Sequence, residues 1–209
     1  MTNDTGHLPT GRATALALAA ICAVAFLAYA NSLGVPFLFD DHTHILENPV
    51  IRSLWPPTKF FSEGMSNRPF INFSLAVNHA VSGDAAWSYH LVNVLAHALA
   101  ACLLFLLAWR TLGGEDMGPR IRAAAFPAAL GGALLWAAHP LNTQAVTYVI
   151  QRCESFMALF LLLLLYCALR GWEEPERRTR WHLAALACFV LGYLSKEVMA
   201  VAVVLVPAY

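Results

Sequence analysis

Long apolar runs without a charged side chain constrain this chain more than any other feature of its sequence. Residues 13–30 and 89–109 contain no Asp, Glu, Lys or Arg, and each is close to the roughly 20 residues that an α-helix needs to cross a bilayer. Over the whole sequence 59% of residues are apolar and 12% are charged, about half of the roughly 25% charge of a globular domain. The sequence therefore predicts an all-α, multi-spanning membrane protein, and its composition excludes a disordered or collagen-like chain.

Six apolar segments are predicted to form membrane helices, and the last of them is incomplete. They lie near residues 13–30, 89–109, 123–138, 143–169, 181–194 and 198–209. Together they make one transmembrane module, 13–209, that follows a short tail at 1–12. The first segment is interpreted as a permanent anchor, because no small-residue cleavage site follows it. Since the sixth segment stops after twelve residues, we expect the chain to be the front portion of a longer protein or a truncated product.

The distribution of Lys and Arg predicts how these helices are oriented. The loops on one side hold eight Lys and Arg in 36 residues, and the loops on the other side hold five in 78. The first side comprises 1–12, 110–122 and 170–180, and the second comprises 31–88, 139–155 and 195–197. Because cytoplasmic loops carry the excess of basic residues, the first side is predicted to be cytoplasmic and the second periplasmic, extracellular or lumenal.

The only long loop, residues 31–88, is predicted to lie on the outer side and to carry short interfacial helices. Residues 54–61 are rich in aromatic residues and proline, which suits a segment at the membrane surface. Residues 68–81 mix apolar and polar side chains in a pattern that is compatible with a helix lying flat on the membrane.

Polar and ionisable residues gather at the outer ends of the predicted helices. In chain order they are Asp40, Asp41, His90, Asn93, His97, His139, Gln144, Arg152, Glu154, Lys196 and Glu197. His90, Asn93 and His97 are spaced so that they share one helical face. A charged group near hydrocarbon needs a partner or a water-filled cavity. The pattern therefore indicates a proton path, an ion site or a catalytic site at one depth.

Most of these residues also have a purely structural interpretation. Asp40 and Asp41 suit a turn and a helix N-cap, and His97 suits a hydrogen bond between helices. His139 precedes a proline that can end a helix. Arg152 and Glu154 could form a local ion pair, while Lys196 could be a snorkelling anchor.

Metal, disulfide and nucleic-acid functions find little support in the sequence. Asp40, Asp41, His42 and His44 could ligate a divalent cation, but their spacing fits no specific signature. The five cysteines show no paired spacing, which argues against a disulfide framework or a zinc site. Thirteen basic and thirteen acidic residues cancel, so no net charge attracts nucleic acid.

Several short motifs follow one another in an order that is shared with a known enzyme family. They are NSLGVPFLFDD at 31–41, NP at 48–49, RP at 68–69, YHLVNVLAHA at 89–98, AHPLNTQAV at 138–146 and LSKE at 194–197. In order and spacing, from about residue 26 to the end, the chain resembles the transmembrane and tetratricopeptide-repeat O-mannosyltransferase family. That family is similar to the wider class of C-type glycosyltransferases, which use polyprenyl-phosphate-linked sugars.

The resemblance implies a reaction and roles for particular residues. Asp40 would be the catalytic base, and Asp41 its partner in orienting the acceptor or a metal. From the acidic and histidine cluster at 40–44, Asp41 and His42 are the candidate ligands of Mg²⁺ or Mn²⁺. Lys196 would contact the donor phosphate, with Arg152 as a second candidate. The remaining motif residues expected in the substrate-binding set are Arg68, His90, Asn93, His139 and Glu197. The expected donor is a polyprenyl-phosphate sugar, with mannose as the family's sugar, and the acceptor a protein or a glycan at the outer face.

The extent of the chain and the placement of its polar residues both bear on the function that the resemblance implies. The chain lacks the tetratricopeptide array and the further spans of the family, so whether it is active alone is left open. A transporter or ion-path subunit is the alternative function, and it predicts polar residues near mid-helix and discontinuous helices in related halves. The polar residues lie at helix ends and no half-repeat is evident, which favours the transferase.

Overall fold

The regular structure of the described residues, 11–65 and 67–208, is entirely helical in the computed structural model, which confirms the predicted all-α class. The α-helices are α1 (Gly11–Tyr29), α2 (Lys59–Ser62), α3 (Pro69–Ser82), α4 (Ala86–Leu112), α5 (Pro119–Ala137), α6 (Thr143–Thr147), α7 (Arg152–Glu173), α8 (Arg178–Tyr193) and α9 (Ala202–Ala208). Short 3₁₀-helices occur at Ala30–Gly34, Pro49–Arg52, Pro140–Asn142, Val149–Gln151, Pro175–Arg177 and Glu197–Val201, and a π-helix at His42–Leu46. The predicted tail at 1–12 lies outside the described residues except for its last two, which already belong to α1.

Three of the described helical segments are long and apolar enough to cross a membrane. They are Gly11–Gly34, Ala86–Leu112 and Val149–Glu173, of 24, 27 and 25 residues. A fourth candidate is α5 together with Pro140–Thr147, two pieces that meet at a bend of 48°. The predicted fifth span corresponds to α8, whose 16 residues extend about 24 Å at 1.5 Å per residue, less than the roughly 30 Å of a bilayer core. By these helices the protein is an integral membrane protein.

Helix α4 is the centre of the bundle and contacts α1, α5 and α7. The sulfur atoms of Cys22 and Cys102 lie 3.6 Å apart, and the rings of Tyr29 and His97 lie 5.2 Å apart, so α1 runs antiparallel to α4. Small buried residues fill this contact and the one with α5, namely Ala17, Ala25, Ala98, Ala101, Ala129 and Ala133. Small side chains let helices approach closely where lipid gives no hydrophobic drive for association.

Helix α7 runs parallel to α4, and α8 returns along α7. Arg152 contacts Asn93 near the start of both α7 and α4, while the Arg110 guanidinium lies 5.7 Å from the Tyr166 ring near their other ends. As a result, residues 30–65, 67–85, 138–151 and 194–201 all lie at one end of the bundle. This end is called the outer end below, following the orientation that the basic residues predict.

The predicted continuous helix at 143–169 is interrupted in the structure. Helix α6 ends at Thr147, Tyr148 has an extended backbone (φ −89°, ψ 114°), and α7 begins only at Arg152. The backbone N–H of Ile150 donates to Asp41 Oδ1 at 2.8 Å, and the Asn93 side-chain amide donates to the carbonyl of Val149 at 3.3 Å. The prediction of one helix does not hold, because side chains remote in sequence replace the backbone hydrogen bonds that the break removes.

The first outer loop, between α1 and α4, packs as a small helical layer against the outer ends of α4 and α7. Helix α3 covers most of the predicted segment 68–81, but its Ile71 and Leu75 are fully buried against residues such as Phe37 and Tyr89. The expected helix lying flat on the membrane therefore has much of its apolar face against protein. Trp55 and Phe61, 78% and 60% exposed, keep the character of an interfacial segment.

Arg152 joins this loop to the two helices beside it. Its side chain is fully buried, and it donates from Nε to Asn93 Oδ1 (2.9 Å) and from Nη2 to Asn78 Oδ1 (2.8 Å) and the Tyr89 carbonyl (3.0 Å). No carboxylate within the described part of the chain forms an ion pair with it. Since Asn78 lies on α3 and Asn93 on α4, one guanidinium holds α3, α4 and α7 together.

Replacing Arg152 with lysine tests this anchor. The ammonium of Lys has one donor atom and cannot reach oxygens on both α3 and α4, so we expect Arg152→Lys to destabilise the protein by about 3 kcal/mol. Thermal unfolding of the purified chain in detergent measures the effect. Arg120→Lys, at an exposed position of α5, is the matched control, and equal unfolding midpoints for the two variants would contradict the anchoring role.

Cysteine labelling tests the orientation of the bundle. In a background without the five native cysteines, Thr43→Cys in the first loop should react with a membrane-impermeant thiol reagent in intact cells, while Asp116→Cys between α4 and α5 should react only after permeabilisation. Both positions are exposed, whereas Ile45 nearby is buried and would be a poor reporter. The opposite labelling pattern would reverse the predicted orientation.

Candidate active site

The residues that the sequence predicts for the site all lie at the outer end, but they divide into two groups by burial. Asp41, His90, Asn93 and Arg152 are buried, whereas Asp40, His42, Arg68, His139, Lys196 and Glu197 are exposed or partly exposed. The first group is covered by protein in this structure. The second group can touch one.

Asp40 is an exposed carboxylate whose backbone is fixed by a tyrosine from the helix break. Its N–H donates to the hydroxyl of Tyr148 at 2.8 Å. Phe39 directly before it has a φ of 47°, a left-handed conformation that costs a non-glycine residue roughly 1 kcal/mol. The Phe39 ring meets the Tyr148 ring edge-on at 6.4 Å. Tyr148, which the sequence did not single out, therefore holds the turn that carries Asp40.

Asp41 is 1% exposed and stabilises the same turn from its buried side. Its Oδ2 accepts from the N–H of Leu38 at 3.1 Å and its Oδ1 from the N–H of Ile150 at 2.8 Å. Burial raises the pKa of the Asp41 carboxyl, and these two backbone donors oppose the shift. Through these two bonds Asp41 has a positioning role in this structure, and its contact with the acceptor or a metal stays a prediction.

His42 is turned toward the backbone of its own loop. Its Nε2 lies 3.1 Å from the carbonyl oxygen of Phe37. Within residues 11–65 and 67–208 no group of three or more His, Cys, Asp or Glu side chains is arranged to hold a metal ion. The divalent-cation site at Asp41 and His42 thus lacks a third ligand among these residues and stays a prediction.

The predicted histidines and Asn93 make hydrogen bonds to backbone. His90 Nε2 donates to the Val35 carbonyl at 3.0 Å, and His97 Nε2 donates to the Ala137 carbonyl of α5 at 2.9 Å. Exposed His139 accepts from the N–H of Leu141 at 3.2 Å through Nδ1. The hydrogen bond between helices predicted for His97 is confirmed. By these contacts Asn93 and Arg152 support the helix break and His90 holds the first loop, and the substrate contacts expected of the three residues stay predictions.

Two cations lie together at the start of α7. The Lys196 ammonium is paired with the Glu154 carboxylate, and Arg68 Nη2 lies 3.9 Å from Glu197 Oε1. Arg68 Nη1 also reaches the Cys153 sulfur at 3.5 Å, close to Lys196. The N–H of Phe70 donates to the Leu194 carbonyl at 3.2 Å, which holds the two loops together. Such a pair of cations suits an anionic group such as a phosphate.

Two cavities flank the helix break. The first, called the Trp136 cavity, has a volume of about 370 Å³. It is lined by Trp136 at the end of α5, by the turn after α5, and by residues of α4 and α7, including Glu154. The Phe39 groove has a volume of about 470 Å³ and is lined by Phe39 and Tyr148 among others. Gln144 lines both. The Glu154–Lys196 pair therefore borders one cavity and the Asp40 turn borders the other.

Known proteins resemble this chain over most of its length. Residues 66–209 match the sequence model of the dolichyl-phosphate-mannose-protein mannosyltransferases. The chain is 33% identical over 194 residues to protein O-mannosyl-transferase Tmtc2 of Drosophila melanogaster. The matched region covers 84% of this chain and 19% of that protein. It is 32% identical over 186 residues to protein O-mannosyl-transferase TMTC2 of Homo sapiens, and this match covers 81% of this chain and 21% of the human protein.

These relatives are much longer than the chain, which spans about a fifth of their length. No solved structure matches it significantly. The resemblance that the loop motifs indicated is confirmed, since the family match covers more than half of the sequence. The chain belongs to the dolichyl-phosphate-mannose-protein mannosyltransferase family.

Proposed function

We propose that this protein forms the outer-face active site of a membrane glycosyltransferase, which moves a sugar from a polyprenyl-phosphate donor to a hydroxyl of a protein acceptor. The relatives are named protein O-mannosyl-transferases, so mannose is the proposed sugar. The observation that carries the proposal is the exposed carboxylate of Asp40, whose backbone is held by Tyr148, at the same end of the bundle as Lys196 and Arg68.

Asp40 has the properties of a general base for this reaction. The acceptor oxygen forms a bond to the anomeric carbon while the bond from that carbon to the phosphate oxygen breaks. The hydroxyl proton passes to the Asp40 carboxylate, which must come within about 3 Å of it. The hydrogen bond from the Asp40 N–H to Tyr148 restricts the turn, so less ordering of the backbone is left for the reaction itself.

The cations suit the leaving group. When the sugar departs, negative charge grows on the lipid phosphate, and fixed positive charges nearby lower the barrier. Lys196 is held by Glu154 and its side chain is 18% exposed, so a phosphate would take over the ammonium from this carboxylate. Arg68 offers a second cation, since its Nε is buried without a partner among the described residues.

The position of Lys196 and Arg68 relative to the membrane fits a lipid-linked donor. The cations lie at the outer end of α7, a helix long enough to span the bilayer together with the 3₁₀ turn before it. A polyprenyl tail would stay in the hydrocarbon while its phosphate reaches this depth, where cations also meet lipid headgroups.

Asp40→Asn tests the base. The amide keeps the backbone bond to Tyr148 but cannot take up the proton, so transfer should fall by about a hundredfold or more. Transfer of a labelled sugar from polyprenyl-phosphate mannose is measured in membranes that contain the full chain at equal amounts. Asp116→Asn, an exposed acid at the opposite end, is the control, and undiminished transfer by Asp40→Asn would remove Asp40 from the mechanism.

Lys196→Ala tests the donor contact. Loss of one cation at a phosphate should raise the KM for the donor about tenfold while the thermal unfolding midpoint stays close to that of the parent protein. The other lysine of the chain, Lys59, lies at the same end and hydrogen-bonds Ser53, so Lys59→Ala serves as the matched control. A donor KM that is the same in both variants would exclude Lys196 from the phosphate site.

A further inference from the structure

The Trp136 cavity is a recess with an apolar floor and a polar rim. Its floor includes His97 and Ala100 of α4 and Met157 of α7, and its rim includes Gln151 and Glu154 at the start of α7. Its volume of about 370 Å³ lies within the range of roughly 300–1,000 Å³ of small-molecule sites. The cavity is therefore large enough for a small ligand.

The aromatic wall of the cavity is rigid. The Trp136 indole stacks on the His97 ring, with centroids 4.6 Å apart and planes inclined by 27°. His97 is in turn held by its hydrogen bond to the Ala137 carbonyl. An indole fixed in this way offers a flat apolar surface at little cost in side-chain entropy.

Two amides and a carboxylate lie on the rim, and they are largely uncommitted. Within the described part of the chain, the Gln144 side chain makes no hydrogen bond, and Gln151 has only a 3.9 Å contact with the Cys153 thiol. Glu154 uses Oε1 for Lys196. Amide and carboxylate groups can accept from, and amides donate to, neighbouring hydroxyl groups of one ligand.

This combination identifies the chemistry of the ligand. A pyranose ring has an apolar C–H face that packs on an indole, and hydroxyl groups around its edge that need donors and acceptors. No Lys or Arg is among the residues that line the cavity, so the recess itself suits a neutral polar group better than a phosphate. We infer that the Trp136 cavity binds the sugar headgroup of the lipid-linked donor, an inference that rests on the proposed function.

The surroundings of the cavity match the order of groups in such a donor. Glu154 lines the cavity and holds Lys196, so a sugar in the cavity has its phosphate next to that cation. Gln144 lines the cavity and the Phe39 groove, where Tyr148 holds Asp40. The anomeric carbon would thus lie between the phosphate site and the base, as an attack on this carbon requires.

Two lipids and two cavity variants test this inference. Binding to the purified full chain is measured for polyprenyl-phosphate mannose and for the same polyprenyl phosphate without sugar. Trp136→Ala and Gln151→Ala should each weaken binding of the sugar-bearing lipid about tenfold and leave binding of the sugar-free lipid unchanged. Gln151→Ala keeps the assay informative if loss of the indole disturbs folding, because Gln151 makes no strong side-chain hydrogen bond.

Trp87→Ala is the matched control, since Trp87 is an exposed tryptophan at the same end of the bundle. If the cavity variants weaken both lipids equally, or neither, the cavity does not hold the sugar and the inference is overturned. If the parent protein binds neither lipid, the proposed function itself fails and the inference fails with it. Selective loss of the sugar-bearing lipid, with an unaffected Trp87→Ala, supports it.

Discussion

The structure of the outer end depends on how the helix break at residues 148–151 is stabilised. A break near the membrane frees backbone groups that lipid cannot satisfy, so each of them needs a partner from the protein. Asp41 accepts from Ile150, and Asn93 donates to the carbonyl of Val149. Arg152 then donates to Asn93, which fixes the amide between the break and α7. These side chains therefore replace the backbone hydrogen bonds that an unbroken helix would make.

The break also creates the two cavities. In a straight helix from residue 143 onward, Gln144, Tyr148 and Glu154 would all lie along one helix axis. With the turn, Gln144 and Glu154 line the Trp136 cavity, and Tyr148 reaches the Asp40 turn. The buried residues thus hold the exposed residues in place. This explains why four of the ten predicted site residues are buried although they belong to the same region.

The sequence revealed some residues of the site and missed others. The acid at position 40 and the cation at 196 were found because charged residues near hydrocarbon are costly and stand out. Asp41, Asn93 and Arg152 also stood out as polar residues near hydrocarbon, but their partners are backbone and side-chain groups far away in the sequence, which no local pattern shows. Tyr148 and Trp136 gave no signal, because aromatic residues at a helix end are common at membrane interfaces.

The sequence by itself determined that the chain is helical, crosses the membrane, and gathers its polar groups at one end, because the cost of charge in lipid acts on every residue regardless of its neighbours. The family motifs also pointed to Asp40. Only the tertiary structure decided which polar residues are exposed and which are buried supports, and where the helix breaks. Those outcomes depend on hydrogen bonds between residues 50 or more positions apart, such as Asp41 with Ile150 and Asn93 with Arg152, and such partners are fixed only when the helices pack together.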